Sequence, residues 1–123
     1  MAVEGMIRDK SMAFAVRIVK LYKYLSEEKK EYVMCKQLLR SGTAIGALQR
    51  EAENAESRLD FIHKFAIAQK ECNETLFWLE LLYKTDYLTV EQYESLNSDA
   101  RFLMALITKT IKSTKHPPTN KTL

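Results

Sequence analysis

Two histidines (His63 and His116), two cysteines (Cys35 and Cys72) and a few clustered carboxylates are all that this chain offers to catalysis or metal binding. The stretch Asp60-Phe-Ile-His63 distantly imitates the Glu-x-x-His unit of two-metal bundle proteins, but that chemistry needs two such units on facing helices plus inward glutamates. The other imidazole, His116, sits in the tail beside Pro117-Pro118, so no metal is predicted and His63 reads as a surface or interface histidine. Cys35 and Cys72 form no CxxC pair and have no recognisable His and orienting-acid arrangement, so they read as small buried hydrophobes. Glu27-Glu28 and Glu51-x-Glu53 fall near helix ends or on polar faces, where solvated carboxylates are ordinary. No active site and no cofactor is expected, and the chain reads as non-enzymatic.

The basic residues offer more. The net charge of +3 hides a segregation: residues 1–50 hold ten basic and five acidic groups, residues 51–99 four and eleven, and residues 100–123 five and none. Such blocks predict a polar contact surface for nucleic acid or for another subunit.

These side chains must be positioned by helices. With 46% apolar and 28% charged positions but only 3 Gly and 2 Pro in 123 residues, the composition fits one all-α domain with few turns. After an N-terminal extension over residues 1–8, helix 1 is expected at about 9–25, with Phe14, Ile18, Leu21 and Leu25 on one stripe. Helix 2 is expected at about 31–54, facing inward with Cys35, Leu38, Gly42, Ile45 and Gln49. Helix 3 is expected at about 58–83, with Ile62, Phe65, Gln69, Cys72, Leu76, Leu79 and Tyr83 inward. Thr89-Val-Glu-Gln92 fits a capping box and opens helix 4, about 89–115, on the stripe Tyr93, Leu96, Ala100, Leu103, Ile107 and Ile111. Residues 116–123 are expected to be a flexible tail. Short connections predict an antiparallel up-down-up-down four-helix bundle.

Gly42 and Gly46 inside helix 2 each cost ~1 kcal/mol relative to Ala, so the Gly42-Thr-Ala-Ile-Gly46 stretch is predicted to be a notch for a neighbouring helix. Arg40 and Arg50 flank it too closely for an apolar membrane span. The N-terminus shows neither a signal peptide nor a spanning helix, so a cytoplasmic chain away from membranes is expected.

Helix 3 carries more apolar surface than one bundle needs. Phe77, Trp78, Leu81 and Leu82 lie off its inward stripe, and leaving them in water would forgo roughly 1.5 to 3 kcal/mol each. The sequence therefore predicts a homo-oligomer through this strip, with helix 1 or the tail as alternative cover. Glu71 and Glu74 beside Trp78 could meet Arg40 and Arg50 of the next subunit, a head-to-tail contact that closes into a ring; two independently solvated faces explain the charges as well. On the other side, helices 1 and 4 carry Arg17, Lys20 and Lys23 beside Arg101, Lys109, Lys112 and Lys115, which together could track the phosphates of RNA or DNA. The same residues also read as a merely solvated Lys-rich face.

The stretches Gln37-Leu-Leu-Arg-Ser41, Gly42-Thr-Ala-Ile-Gly-Ala47, Glu51-Ala52, Phe61-Ile-His-Lys64, Lys70-Glu-Cys-Asn-Glu74 and Trp78-Leu-Glu-Leu-Leu82 resemble the bacterial four-helix bundle family of 23S rRNA intervening-sequence proteins, over roughly Phe14 to Lys115. Many members carry Asn-Ile where this chain has Leu48-Gln49. The resemblance implies a compact bundle, a pentameric ring, and kinship with accessory proteins of diversity-generating retroelements, whose positively charged rings engage nucleic acid and a reverse transcriptase. It supplies no catalytic residues. Gln37, Arg40, Glu51, Glu71 and Glu74 match its polar positions, as interface or as packing contacts. The expected function is thus a pentameric, nucleic-acid-binding bundle with a reverse-transcriptase-like protein as a possible partner, and the rival is a protein-interaction scaffold without nucleic acid.

Overall fold

The computed structural model describes residues 2–116, four α-helices with no strand among the described residues. They are α1 (Ala2–Glu27), α2 (Met34–Glu53), α3 (Arg58–Lys84) and α4 (Val90–Lys115). Each packs only on its neighbours in a square, α1 on α2, α2 on α3, α3 on α4 and α4 back on α1, and the α1–α4 seam is the sparsest. Cross-helix contacts fix the antiparallel course. Arg8 meets Glu53 while Ile18 meets Gly42, Lys64 meets Glu51 while Thr75 meets Ser41, and Gln69 meets Thr108 while Cys72 meets Ala100.

The expected stripes of α1, α2 and α4 supply most of the core, with Phe14, Ile18, Leu25, Cys35, Leu38, Ile45, Ala100, Leu103 and Ile107 at 1% exposure or less. The first helix nevertheless starts at Ala2 and not near Asp9, because nothing in residues 2–8 stops a helix and Ile7, seven residues before Phe14, adds another buried layer. Residues 2–8 of the predicted extension are therefore part of α1. The second starts at Met34, three residues later than expected. Glu31 stands before it as an anchor, its carboxylate accepting from the backbone N–H groups of Val33, Met34 and Cys35 at 2.7–3.0 Å. The Thr89–Gln92 capping box is present at the start of α4.

In α3 the buried stripe is rotated from the expected one. Ala68, Thr75 and Leu82 join Phe65, Cys72 and Leu79 inside, while Ile62, Gln69, Leu76 and Tyr83 are only half-buried. The cause is packing on two neighbours. Thr75 Oγ1 donates to Ser41 of α2 at 2.9 Å on one flank, and Gln69 Nε2 donates to Thr108 of α4 at 2.8 Å on the other.

The predicted notch is real at one of its two glycines. A Cβ on Gly42 would lie 2.9 Å from Cγ1 of Ile18, closer than side chains approach, so the bare backbone lets α1 seat against α2. At Gly46 the nearest atom would be 3.5 Å away, an ordinary contact. The predicted tail lies outside the described residues apart from His116.

Candidate functional site

The groups that could do chemistry are dispersed. His63 and His116 are exposed, and no group of three or more His, Cys, Asp or Glu side chains is placed to hold a metal ion among the described residues. Both cysteines are buried and tied to backbone: Cys35 Sγ donates to the Glu31 carbonyl at 2.9 Å, and Cys72 Sγ to the Ala100 carbonyl at 3.2 Å. Burial, and for Cys35 also the charge of Glu31, raises the pKa of each thiol, that of Cys72 to about 11, so the nucleophilic thiolate is disfavoured.

The predicted cationic patch is divided. Arg17 faces α4, where it donates to Asp99 at 2.6 Å and to Ser95 at 2.9 Å, so its charge is matched inside the chain. Antiparallel packing sets Lys10 over Phe102 and Arg17 beside Ser95, which puts the C-terminal end of α1 next to the N-terminal end of α4. Lys20 and Lys23 are therefore near the level of Gln92, about 30 Å along the bundle from Lys112 at 1.5 Å per residue. The two groups do not form one surface. Lys109, Lys112 and Lys115 stay together at the exposed end of α4 with Arg101 about 12 Å before them at 1.5 Å per residue, and among the described residues none of the four makes an ion pair.

The acid–base match expected between subunits is made within one. Arg40 on α2 donates to Glu71 at 3.1 Å and to Glu74 at 2.7 Å on α3, and the indole N–H of Trp78 donates to Glu74 at 3.0 Å. The indole and then Arg40 hold the Glu74 carboxyl below its usual pKa, while Glu71 and Glu74 raise that of Arg40. Lys64 meets Glu51 at 2.9 Å farther along the same seam. Leu82, expected at an interface, is 0% exposed and belongs to the core, because the rotated face of α3 turns it inward one layer beyond Thr75. Of the predicted strip, Phe77 is 55% exposed, stacked edge-on against Trp78, and Trp78 and Leu81 are half-buried; Arg50 is exposed.

A second apolar face escaped the sequence reading. Met12, Val16 and Val19 recur at i, i+4 and i+7 on the outside of α1 and are 36–50% exposed. Their spacing was the available signal, masked by the stronger inward stripe of the same helix. Beside them runs a groove of about 150 Å³ between α1 and α2, floored by Ala15, Gly46 and Ala47. Because α1 and α3 are diagonal in the square, this face and the Phe77 face look in opposite directions.

The sequence matches the 23S rRNA-intervening sequence protein family over residues 4–109. The chain is similar to a crystal structure, at 1.70 Å resolution, of a protein with unknown function from the S23 ribosomal protein family of Bacteroides thetaiotaomicron VPI-5482. The two are 58% identical, with a TM-score of 0.89, over 89% of this chain and 98% of that one. No curated protein matches. No described helix is long and apolar enough to cross a membrane.

Proposed function

We propose that this chain, which belongs to the 23S rRNA-intervening sequence protein family, works without catalysis in the cytoplasm as a self-associating bundle whose α4 surface binds RNA or DNA. The observation that carries the nucleic-acid reading is the unpaired group Arg101, Lys109, Lys112 and Lys115, on a stretch where no acidic residue follows Asp99. Unmatched cations at a helix C-terminus are favoured by the helix dipole and are free to displace counterions from phosphate. Lys20 and Lys23 form a separate, smaller basic spot. In a ring each group would repeat around the assembly, and the resemblance adds pentameric stoichiometry and a reverse-transcriptase-like partner.

Self-association is supported by two apolar faces on opposite sides, Met12–Val16–Val19 on α1 and Phe77 with Leu81 on α3. Distinct opposed faces suit a heterologous contact, which closes into a ring when the rotation allows. Light scattering tests it. Val16→Asp and Phe77→Asp should each give monomers, and a mixture of the two should give a one-to-one dimer, since each variant keeps the face the other lost. Two monomers that fail to pair on mixing would exclude a head-to-tail ring.

For nucleic acid, affinity for a labelled RNA should fall steeply between low and moderate salt, and reversing Lys109, Lys112 and Lys115 to Glu should abolish it without altering subunit number. No binding at low salt would leave the scaffold reading, which the same two apolar faces favour.

A further inference from the structure

Where α1 begins, α2 ends and α3 begins, the bundle holds an open cleft of about 550 Å³, within the size range of small-ligand sites. Phe61, packed edge to face on the buried Phe65 with centroids 4.9 Å apart, forms one wall. Gln49 lines it from α2 and is 2% exposed. Its Nε2 donates to Glu53 at 2.8 Å. A carboxylate can only accept, so Glu53 fixes the orientation of the amide and leaves Gln49 Oε1 buried with no protein donor. Such an oxygen is costly unless something donates to it. Arg8 and Arg58 stand on the rim, and Arg58 Nε donates to the Thr114 carbonyl at 2.9 Å, tying the cleft to the α4 turn that carries Lys112 and Lys115.

We infer that this cleft receives an unpaired nucleobase of a strand whose phosphates lie on the Lys109–Lys115 surface. The inference rests on the nucleic-acid reading above and narrows it from any nucleic acid to single strands. Each part of the cleft answers one part of a nucleotide. The aromatic wall takes the face of a base, a contact available to single strands because their bases are unstacked. The terminal N–H groups of Arg58, whose Nε alone is committed, suit a phosphate, while Arg8 already serves Glu53. Gln49 Oε1, beside the acceptor Glu53, is the acceptor for an amino group on the base edge. Adenine, cytosine and guanine present one. Uracil flanks its single N–H with two carbonyl oxygens, which would face the oxygens of Gln49 and Glu53.

The full chain is titrated with adenosine, cytidine, guanosine and uridine monophosphates while the Gln49 side-chain amide and the Phe61 ring are followed by NMR. In parallel, single-stranded and duplex RNA are compared by fluorescence anisotropy. The amino-bearing nucleotides should shift both signals and bind about tenfold tighter than the uridine nucleotide, the worth of one well-made hydrogen bond. A single strand rich in adenine should outcompete duplex. Gln49→Met, which keeps the length and removes the oxygen, should erase the discrimination with the melting temperature unchanged or raised, and Phe61→Leu should weaken every nucleotide alike. Unmoved Gln49 and Phe61 signals, equal affinity for all four, or discrimination that survives Gln49→Met would overturn the inference and assign Oε1 to ordered water. If strands and duplex bind equally and salt-dependently, this inference fails and the surface reading stands. If nucleotides fill the cleft but no strand binds at low salt, the surface reading fails and takes the strand-bound base with it.

Discussion

The α2–α3 seam and the α1–α4 seam are built from similar residues and end in opposite states. Along α2–α3 the charges are consumed: Arg40 serves Glu71 and Glu74, Lys64 serves Glu51, and Ser41 and Thr75 bond in the buried layer between them. Along α1–α4 the packing is sparser, clefts of about 250 and 350 Å³ remain, and Arg17 with Asp99 is the one ion pair among the described residues. Lysines beyond that pair stay unmatched. A basic residue is available to a partner only where the neighbouring helix fails to supply an acid at its level, and that depends on register rather than on composition.

The contrast can be broken most severely in the layer that closes α2–α3. Leu82→Ala should lose about 2 to 5 kcal/mol in denaturant unfolding, as befits a fully buried leucine, while leaving any assembly of the folded protein intact. An undiminished stability would return Leu82 to the surface.

The next largest effect distinguishes the two glycines of α2. Gly42→Ala forces Cβ onto Ile18 and should cost about 1 to 3 kcal/mol, whereas Gly46→Ala meets only ordinary contacts and should stabilise by up to about 1 kcal/mol. Equal signs from thermal melts of the two variants would show that the helices do not seat where they are placed.

Acid sharpens the comparison. Burial opposes ionisation of Glu31, but the N–H donors of Met34, Cys35 and Val33 outweigh it and hold its pKa below the usual 4.5. The Glu74 pKa is lowered through Trp78 and Arg40. A carboxyl depressed in the folded state contributes stability that is fully present above its unfolded pKa and is lost as pH falls through the folded one, so both contributions should start to decline near pH 4.5 and vanish only below the lowered folded values. Glu31→Ala should cost about 0.5 to 2 kcal/mol at neutral pH, as helix caps do, and flatten the acid limb of the stability profile.

The smallest effects separate matched from free charge. Arg40→Met strands Glu71, whose side chain is 19% exposed, and should cost about 1 kcal/mol even after allowance for solvent screening at Arg40 and Glu74. Lys109→Gln, ahead of the last turn of α4, should change stability by about 0.5 kcal/mol or less, because that side chain holds nothing in the described fold. Comparable losses from the two variants would erase the distinction between the seams.

Much of the architecture was legible in the residues because it is written locally. Phe14–Ile18–Leu21–Leu25 and Leu96–Ala100–Leu103–Ile107 repeat at helical spacing, the Thr89–Gln92 box marks a helix start, and a glycine in mid-helix asks for a neighbour. The surfaces were much less legible. Arg17 and Arg40 looked as free as Lys112, Leu82 looked as exposed as Phe77, and the valines outside α1 looked like scatter. Gln49 read as one more inward position, with nothing to say that half of its amide would lack a donor.

By itself the sequence determined four amphipathic helices, their approximate ends apart from the start of α1, and the blocks of charge they carry, since hydrophobic period and capping depend on residues a few positions apart. Only the tertiary structure decided which cations are neutralised, which apolar side chains close the core and which two faces are left open. Those outcomes follow from the antiparallel register and from the rotation of each helix between two neighbours, and they are fixed by residues 31 to 82 positions away in the chain.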